Sequence, residues 1–534
     1  MSFHRHRHRH RPRTWAAAAL AVAAGLAALT LAPAPAAASP DEHNGADCAV
    51  PGSGSPASTS QLPDPFTRLD GTRVSTADEW ECRRAEIHEL AERSVYGSKP
   101  APPDSVTGSV SSSRITVNVT DQGRSTSFSA SVDLPSGQGP FPAVIVYGGF
   151  GADTATIKAA GAAVISYDPF AVGAEGTSRG SKRGAFYDLY GSSSGTGLLM
   201  AWAWGTSRII DVLEQSGGAV LRTDATGVTG CSRYGKGALV AGAFDQRVDL
   251  TMPIESGTGG VPALRAVAQE SGAQPLSSAY GEQPWLGDAF GDYTGNPNAL
   301  PVDTHQIVGM VAPRGLLIMD NPHVDWLGAR SASVAARGGA EVYRALGAEA
   351  NISYWSDVQD GTHCASRSEW RGPLRQSIEA FLLGTGQAPG VFRVSPAKSG
   401  DLSAWRNWQT PVLTGGGDPG DGDPGDGGPG DGEDGACTAS YRTVNSWSGG
   451  FQGEVSVRND GTTPLDGWTV GMTLASGQSI ANLWNGQNTG TSGSVRVRNT
   501  PWNGTVAAGA AVTFGFVVSG GSSAPPGGVS CASP

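Results

Sequence analysis

The sequence predicts an α/β sandwich, a mostly parallel sheet with helices on both faces, followed by a flexible linker and a small all-β sandwich. Three observations carry this. Short, continuous apolar runs such as 142–147 (Pro-Ala-Val-Ile-Val-Tyr) alternate with helical stretches as far as residue 383. Such alternation builds a parallel sheet covered on both sides. Residues 415–435 repeat Gly, Asp and Pro, with seven acids and no base. Glycine makes such a segment flexible, while proline and like charges extend it. From Cys437 onward the composition shifts to Gly, Thr, Ser, Val and Trp in short alternating runs between turns, as in a sandwich of about 100 residues.

Taken in order, residues 1–38 form a targeting segment. A basic stretch from His4 to Arg13 precedes an apolar run, 15–31, and then Ala36-Ala37-Ala38 before Ser39. That order is the secretory pattern, with cleavage expected after Ala38. The His/Arg alternation sits where a basic leader belongs and is not read as a metal site. No other stretch is apolar enough to span a bilayer, so the mature protein is expected to be soluble and exported. Residues 39–65 are polar and rich in Pro and Ser, an arm before the first domain (39–400).

A helix is expected over 76–95, with Trp80, Ile87, Leu90 and Ala91 on one face. Strands follow at 114–119 and 127–134, where apolar residues alternate. Buried strands are expected at 142–147 and 162–167, and a helix at 196–215. The pattern then repeats: a strand at 224–229, a helix over 237–244, and strands at 249–254, 314–320 and 351–355. Helices are expected at 329–346 and 373–383.

The chain has 534 residues with 37 basic and 48 acidic side chains, and five of the arginines lie in the first thirteen residues. The rest is strongly acidic. This argues against nucleic acid as a partner and gives no attraction to an anionic membrane. Six cysteines in an exported chain imply disulfides. Domain boundaries suggest Cys48 with Cys82, Cys231 with Cys364, and Cys437 with Cys531.

Chemistry centres on Gly230-Cys231-Ser232-Arg233-Tyr234-Gly235-Lys236. A serine between a strand and a helix, flanked by glycines, is the local signature of a nucleophile elbow. The second glycine arrives one residue later than in the common Gly-x-Ser-x-Gly pattern. A capping serine after a strand would read the same way, so this stretch alone leaves both open. Five histidines follow the targeting segment: His43, His88, His305, His323 and His363. His363 lies in the loop after the last long strand, where α/β-hydrolase topology keeps its base, and Cys364 beside it can bond Cys231. Two acids compete to orient that base. Glu255 ends the strand after the elbow unit; Asp320 ends the next one, where hydrolases usually keep their acid.

These stretches resemble the glucuronoyl esterases, carbohydrate esterase family 15. Besides the elbow, Glu255-Ser256-Gly257, Phe186-Tyr187-Asp188-Leu189-Tyr190-Gly191, Ala201-Trp202-Ala203-Trp204-Gly205, Gly281-Glu282-Gln283-Pro284-Trp285, Asp325-Trp326-Leu327-Gly328 and His363-Cys364 carry the likeness, over roughly residues 45–390. The resemblance implies Ser232 as nucleophile, His363 as base and Glu255, rather than Asp320, as its acid. It implies Arg233 at the oxyanion, leaving the Gly148-Gly149 turn without that task. Lys236, Gln274, Glu282 and Trp326 are implied to hold the uronate. Fungal members also join Cys-Ser to His-Cys by a disulfide; they carry a further one for which this chain has no cysteines. The implied substrate is the ester of 4-O-methyl-glucuronic acid on xylan with lignin alcohols. The resemblance implies neither cofactor nor metal, and the protein is expected to be a monomer.

The C-terminal stretch resembles carbohydrate-binding module family 2. Trp468 alternates like a core residue, whereas Trp447, Trp484 and Trp502 sit beside Asn, Ser and Gly. Gly450, three after Trp447, is similar to the subtype for crystalline cellulose; the xylan-binding subtype has Arg there. The whole is expected to be a secreted serine esterase held on cellulose. An acetyl xylan type of esterase, or a cellulose-binding protein with an inert hydrolase domain, are the rivals.

Overall fold

The structure is a computed structural model and describes residues 42–43, 48–50, 57–413, 437–447, 449–459, 461, 463–500, 503–520 and 525–533. The targeting segment and the linker 415–435 lie outside the described residues. The chain divides into two compact units, Met1–Asp418 and Pro419–Pro534.

The first unit is built on one sheet of ten strands: β1 (Ser105–Val110), β2 (Arg114–Asp121), β3 (Arg124–Asp133), β4 (Phe141–Tyr147), β5 (Ala163–Tyr167), β6 (Leu221–Cys231), β7 (Leu250–Ile254), β8 (Gly315–Met319), β9 (Ile352–Ser356) and β10 (Phe392–Val394). Their spatial order is β1-β2-β3-β5-β4-β6-β7-β8-β9-β10. The first three pair antiparallel, β3 meets β5 antiparallel, and all pairs from β5 to β10 are parallel. Every residue of β7 and β8 is buried, as strands covered on both faces must be. From β4 the chain first adds β5 on one side and then β6 on the other. That reversal opens a crevice at the strands' C-terminal ends, where open α/β sheets bind ligands.

β1 and β10 were not expected from the sequence. Both are edge strands, and β1 (Ser-Val-Thr-Gly-Ser-Val) is mostly exposed, so it lacks an apolar signature. The first helix is Ala77–Ala91; Thr76 and Glu79 form a capping box, and a π-turn, Glu92–Tyr96, carries it to Gly97. The last helix begins earlier than expected, at Ser368, with Pro373 inside it. Trp370, Leu374 and Ile378 make its buried stripe, and the expected end at 383 is a second π-turn, Glu379–Leu383. Cys48 bonds Cys82 and so ties the arm to the first helix. The chain stays packed on this unit past residue 400: Trp408 is buried against Phe66 and His305.

The second unit comprises β11 (Cys437–Trp447), β12 (Gly450–Asn459), β13 (Leu465–Asp466), β14 (Thr469–Thr473), β15 (Ser479–Trp484), β16 (Gln487–Thr489), β17 (Ser494–Arg498), β18 (Thr505–Val506), β19 (Ala511–Ser519) and β20 (Gly527–Ala532). Two four-stranded antiparallel sheets, β11-β12-β19-β15 and β16-β17-β14-β20, enclose Phe451, Val455, Val470, Val497, Phe514, Phe516 and Trp468. Cys437 bonds Cys531 and closes β11 onto β20.

Candidate active site

Ser232 stands between β6 and the helix Arg233–Phe244 with φ 60° and ψ −125°, a strained conformation for a residue with a side chain. Both flanking glycines are forced by space. A Cβ on Gly230 would lie 2.7 Å from Tyr234 Cβ, and one on Gly235 would lie 2.5 Å from the Ile254 carbonyl oxygen. The late second glycine therefore serves the close packing of the helix on β7. The helix starts at Arg233, four residues before the expected start, because it must follow the serine directly. Its first N–H groups have no acceptor within the helix and face the serine end.

Glu255 follows β7 and is fully buried. Its φ of 44° is positive, as is that of Cys364 at 59°. Thus three of the strained non-glycine residues in the described chain cluster at one point. Glu255 Oε2 lies 2.6 Å from His363 Nδ1 and accepts a 2.8 Å hydrogen bond from the Cys364 N–H. Oε1 accepts from Asn321 Nδ2 at 3.4 Å and faces the Arg367 guanidinium at 3.7 Å. Four donors thus surround one buried carboxylate. The His363 loop is further held by the Arg367 bond to the Thr362 carbonyl, 2.6 Å.

Cys231 and Cys364 are bonded, with Cα atoms 5.9 Å apart. The bridge joins the residue before Ser232 to the residue after His363. It packs under the turn that follows β4: a Cβ on Gly151 would lie 2.5 Å from Cys231 Cβ. His363 Nε2 is 3.6 Å from Cys364 Sγ. Among the described residues, the side-chain hydrogen bonds of His363 run to Glu255 and Cys364, and none joins it to the Ser232 hydroxyl.

The other histidines are used elsewhere. His88 is buried and stacks on His43; His305 bonds the Pro63 carbonyl and His323 the Val358 carbonyl. Asp320 does not reach His363. It accepts from the Asn321 N–H at 2.9 Å and the Tyr354 hydroxyl at 3.1 Å, and burial pushes its carboxyl up to about 7.

The residues expected around the substrate gather beside the elbow. Lys236 is buried; its Nζ donates to the Ser256 carbonyl and lies 5.4 Å from the Trp285 ring centroid. Burial pushes this ammonium down to about 8, partly offset by Glu282. Gln274 Nε2 donates to Glu282 at 2.7 Å, and the Gln274 N–H donates to the Trp326 carbonyl at 3.0 Å. The Trp326 indole is 54% exposed, its ring edge-on to His363 with centroids 5.9 Å apart. Arg233 Nη1 donates to Glu175 Oε2 at 2.6 Å.

Sequence reasoning missed Asn321, Arg367, Glu175 and Phe150. Asn321 adjoins Asp320 and Arg367 is four residues past His363, but a lone polar residue gives no signal of its target. Phe150, on the turn after β4, is 44% exposed and packs edge-on against Tyr234.

In the second unit Trp484 is 37% exposed. It pairs with Gly515 across β15 and β19, and a Cβ there would lie 2.3 Å from its ring. The indole therefore rests on bare backbone. Trp447 ends β11 opposite Gly450; Trp502 lies outside the described residues.

A strained serine between strand and helix, at the C-terminal edge of a mostly parallel sheet, defines the first unit as an α/β-hydrolase. The model for fungal glucuronyl esterases matches residues 117–347, and the cellulose binding domain model matches 437–532. A 4-O-methyl-glucuronoyl methylesterase of Hypocrea jecorina is 39% identical over 377 residues, 69% of this chain and 80% of that protein. One from Podospora anserina is 42% identical over 374 residues, 68% of this chain and 76% of that protein. The chain belongs to the glucuronoyl esterases. Among solved structures, the Hypocrea jecorina glucuronoyl esterase catalytic domain is similar with a TM-score of 0.64 and 38% identity, over 68% of this chain and all of that one. A serine-to-alanine mutant from Sporotrichum thermophile, in complex with methyl 4-O-methyl-β-D-glucopyranuronate, has a TM-score of 0.64 and 36% identity, over 69% of this chain and all of that one.

Proposed function

We propose that this enzyme is exported, cleaves esters between 4-O-methyl-glucuronic acid of xylan and lignin alcohols, and is held on cellulose by its C-terminal unit. The observation that carries the reading is the 2.6 Å pair of His363 Nδ1 with buried Glu255, on a loop bonded to the elbow through Cys231–Cys364. Export is supported by the basic-then-apolar leader and the three disulfides. Among the described residues no helix is long and apolar enough to cross a membrane.

His363 Nε2 takes the proton of the Ser232 hydroxyl as Oγ attacks the ester carbonyl. Glu255 holds the proton on Nδ1 and stabilises the imidazolium that forms. The oxyanion is met by the Arg233 backbone N–H and guanidinium. Collapse expels the alcohol, which takes its proton from Nε2. Water, deprotonated by the same nitrogen, then releases the uronic acid. Serine–histidine contacts of this kind tighten as the ester binds. Lys236, Gln274 and Glu282 offer donors and acceptors to the uronate hydroxyls, with Trp326 as an apolar wall. Phe150, exposed on the turn after β4, offers apolar surface to the alcohol half.

The test is Ser232→Ala. Hydrolysis of benzyl and methyl 4-O-methyl-glucuronate should fall to background while cellulose binding is unchanged. Persistent hydrolysis would overturn the serine's role, and wild-type cleavage of acetyl xylan in place of the glucuronate esters would overturn the substrate.

A further inference from the structure

Glu175 is not among the residues that the mechanism above uses, yet it touches two that line the site. One oxygen accepts from Arg233 Nη1 at 2.6 Å and the other from the Trp285 indole N–H at 2.6 Å. Its side chain is only 9% exposed, against 39% for Arg233. A half-exposed arginine has many rotamers, and holding one of them is costly unless a partner fixes it. Here the partner is itself fixed, because Trp285 is buried.

The segment that carries Glu175 is also braced. The next residue, Gly176, donates its N–H to Gln283 Oε1 at 2.8 Å. Arg179 donates to the carbonyls of Leu286 at 2.7 Å and Tyr280 at 2.6 Å, and lies over the Tyr280 ring. The Glu175 loop is thereby clamped to the segment 280–286 that presents Glu282 and Trp285. Trp285 in turn offers its ring face to the Lys236 ammonium, a favourable arrangement for a cation. One carboxylate and one indole therefore order both cations beside Ser232.

We propose that Glu175 is a positioning residue: it holds the Arg233 guanidinium by one nitrogen so that its remaining donors stay aimed at the developing oxyanion. This rests on the reading of Arg233 as an oxyanion donor. Misplacing such a donor weakens an interaction made only in the transition state, which lowers kcat and leaves KM alone.

The experiment is a double-mutant cycle on the full-length enzyme with methyl 4-O-methyl-glucuronate. Glu175→Ala should lower kcat about 10-fold or more, with KM within about two-fold of wild type. Glu175→Gln should fall between the two, because an amide has one acceptor oxygen where the carboxylate has two. In an Arg233→Ala background, Glu175→Ala should cost less than about two-fold, since the group it positions is gone. An equal loss with and without Arg233, a loss confined to KM, or a kcat in Glu175→Ala at or above wild type would each overturn the proposal. If Arg233→Ala itself leaves kcat unchanged, the reading of Arg233 fails instead, a result the cycle separates from failure of Glu175.

Discussion

Replacing Glu255 by glutamine is expected to disable the enzyme, whereas Asp320→Asn is not. The argument lies in what faces each carboxylate. Around Glu255 every neighbour is a donor: His363 Nδ1, the Cys364 N–H, Asn321 Nδ2 and the Arg367 guanidinium. An amide cannot satisfy that set. With its NH₂ toward Arg367 and Asn321 it sets donors against donors. With its NH₂ toward His363 it forces Nδ1 to accept, puts the proton on Nε2, and leaves Ser232 without a base. The wrong tautomer in a serine triad costs about 10⁴ in kcat, or about 5.5 kcal/mol of transition-state stabilisation. Asp320 has no contact with His363. Its carboxyl, pushed up to about 7 by burial, is already part-neutral at neutral pH, so an amide is a mild change. Because its folded value lies above the unfolded one, its contribution to stability is present at acid pH and lost as pH rises toward about 7. Asp320→Asn should therefore keep kcat within about three-fold and gain melting temperature, relative to wild type, more at pH 8 than at pH 5. Steady-state hydrolysis of benzyl 4-O-methyl-glucuronate at pH 7 is the assay. A Glu255→Gln enzyme within 10-fold of wild type, or an Asp320→Asn enzyme equally crippled, would refute the reasoning.

Breaking the Cys231–Cys364 bridge, which closes 133 residues, with alanine at both positions should cost about 2–5 kcal/mol in urea unfolding; kcat should fall too as the base loop loosens. The Lys236 ammonium, pushed down to about 8, should give kcat/KM an alkaline limb near that pH, charged and effective below it, neutral above. Lys236→Met should lower kcat/KM and remove the limb. Phe150→Ala should raise KM for the benzyl ester about five-fold, from about 1 kcal/mol of lost apolar contact, and leave the methyl ester unchanged. Trp484→Ala should weaken binding to cellulose in pull-down isotherms without altering ester hydrolysis.

Much of this enzyme could be read from local pattern. The strand–Ser232–helix order and the buried runs at β4, β7 and β8 announce themselves over a few residues, because apolar continuity and turn chemistry are short-range; the cysteine pairs, 34 to 133 residues apart, followed from even number and domain boundaries. The linker and the second unit show in composition alone. The sheet's edges did not, since β1 and β10 bury too little to need an apolar signature. Choice between Glu255 and Asp320 was also beyond local pattern. Both end consecutive parallel strands, and residue resemblance rather than physics favoured the former. Only the packed chain decides which carboxylate meets Nδ1 and which is spent on Tyr354 and a backbone N–H. The same holds for Arg367 and Asn321, which meet Glu255 across 112 and 66 residues of sequence, and for Glu175, which meets Arg233 across 58. A charged side chain carries no local mark of the group it will face; that is set by where the strands' ends converge.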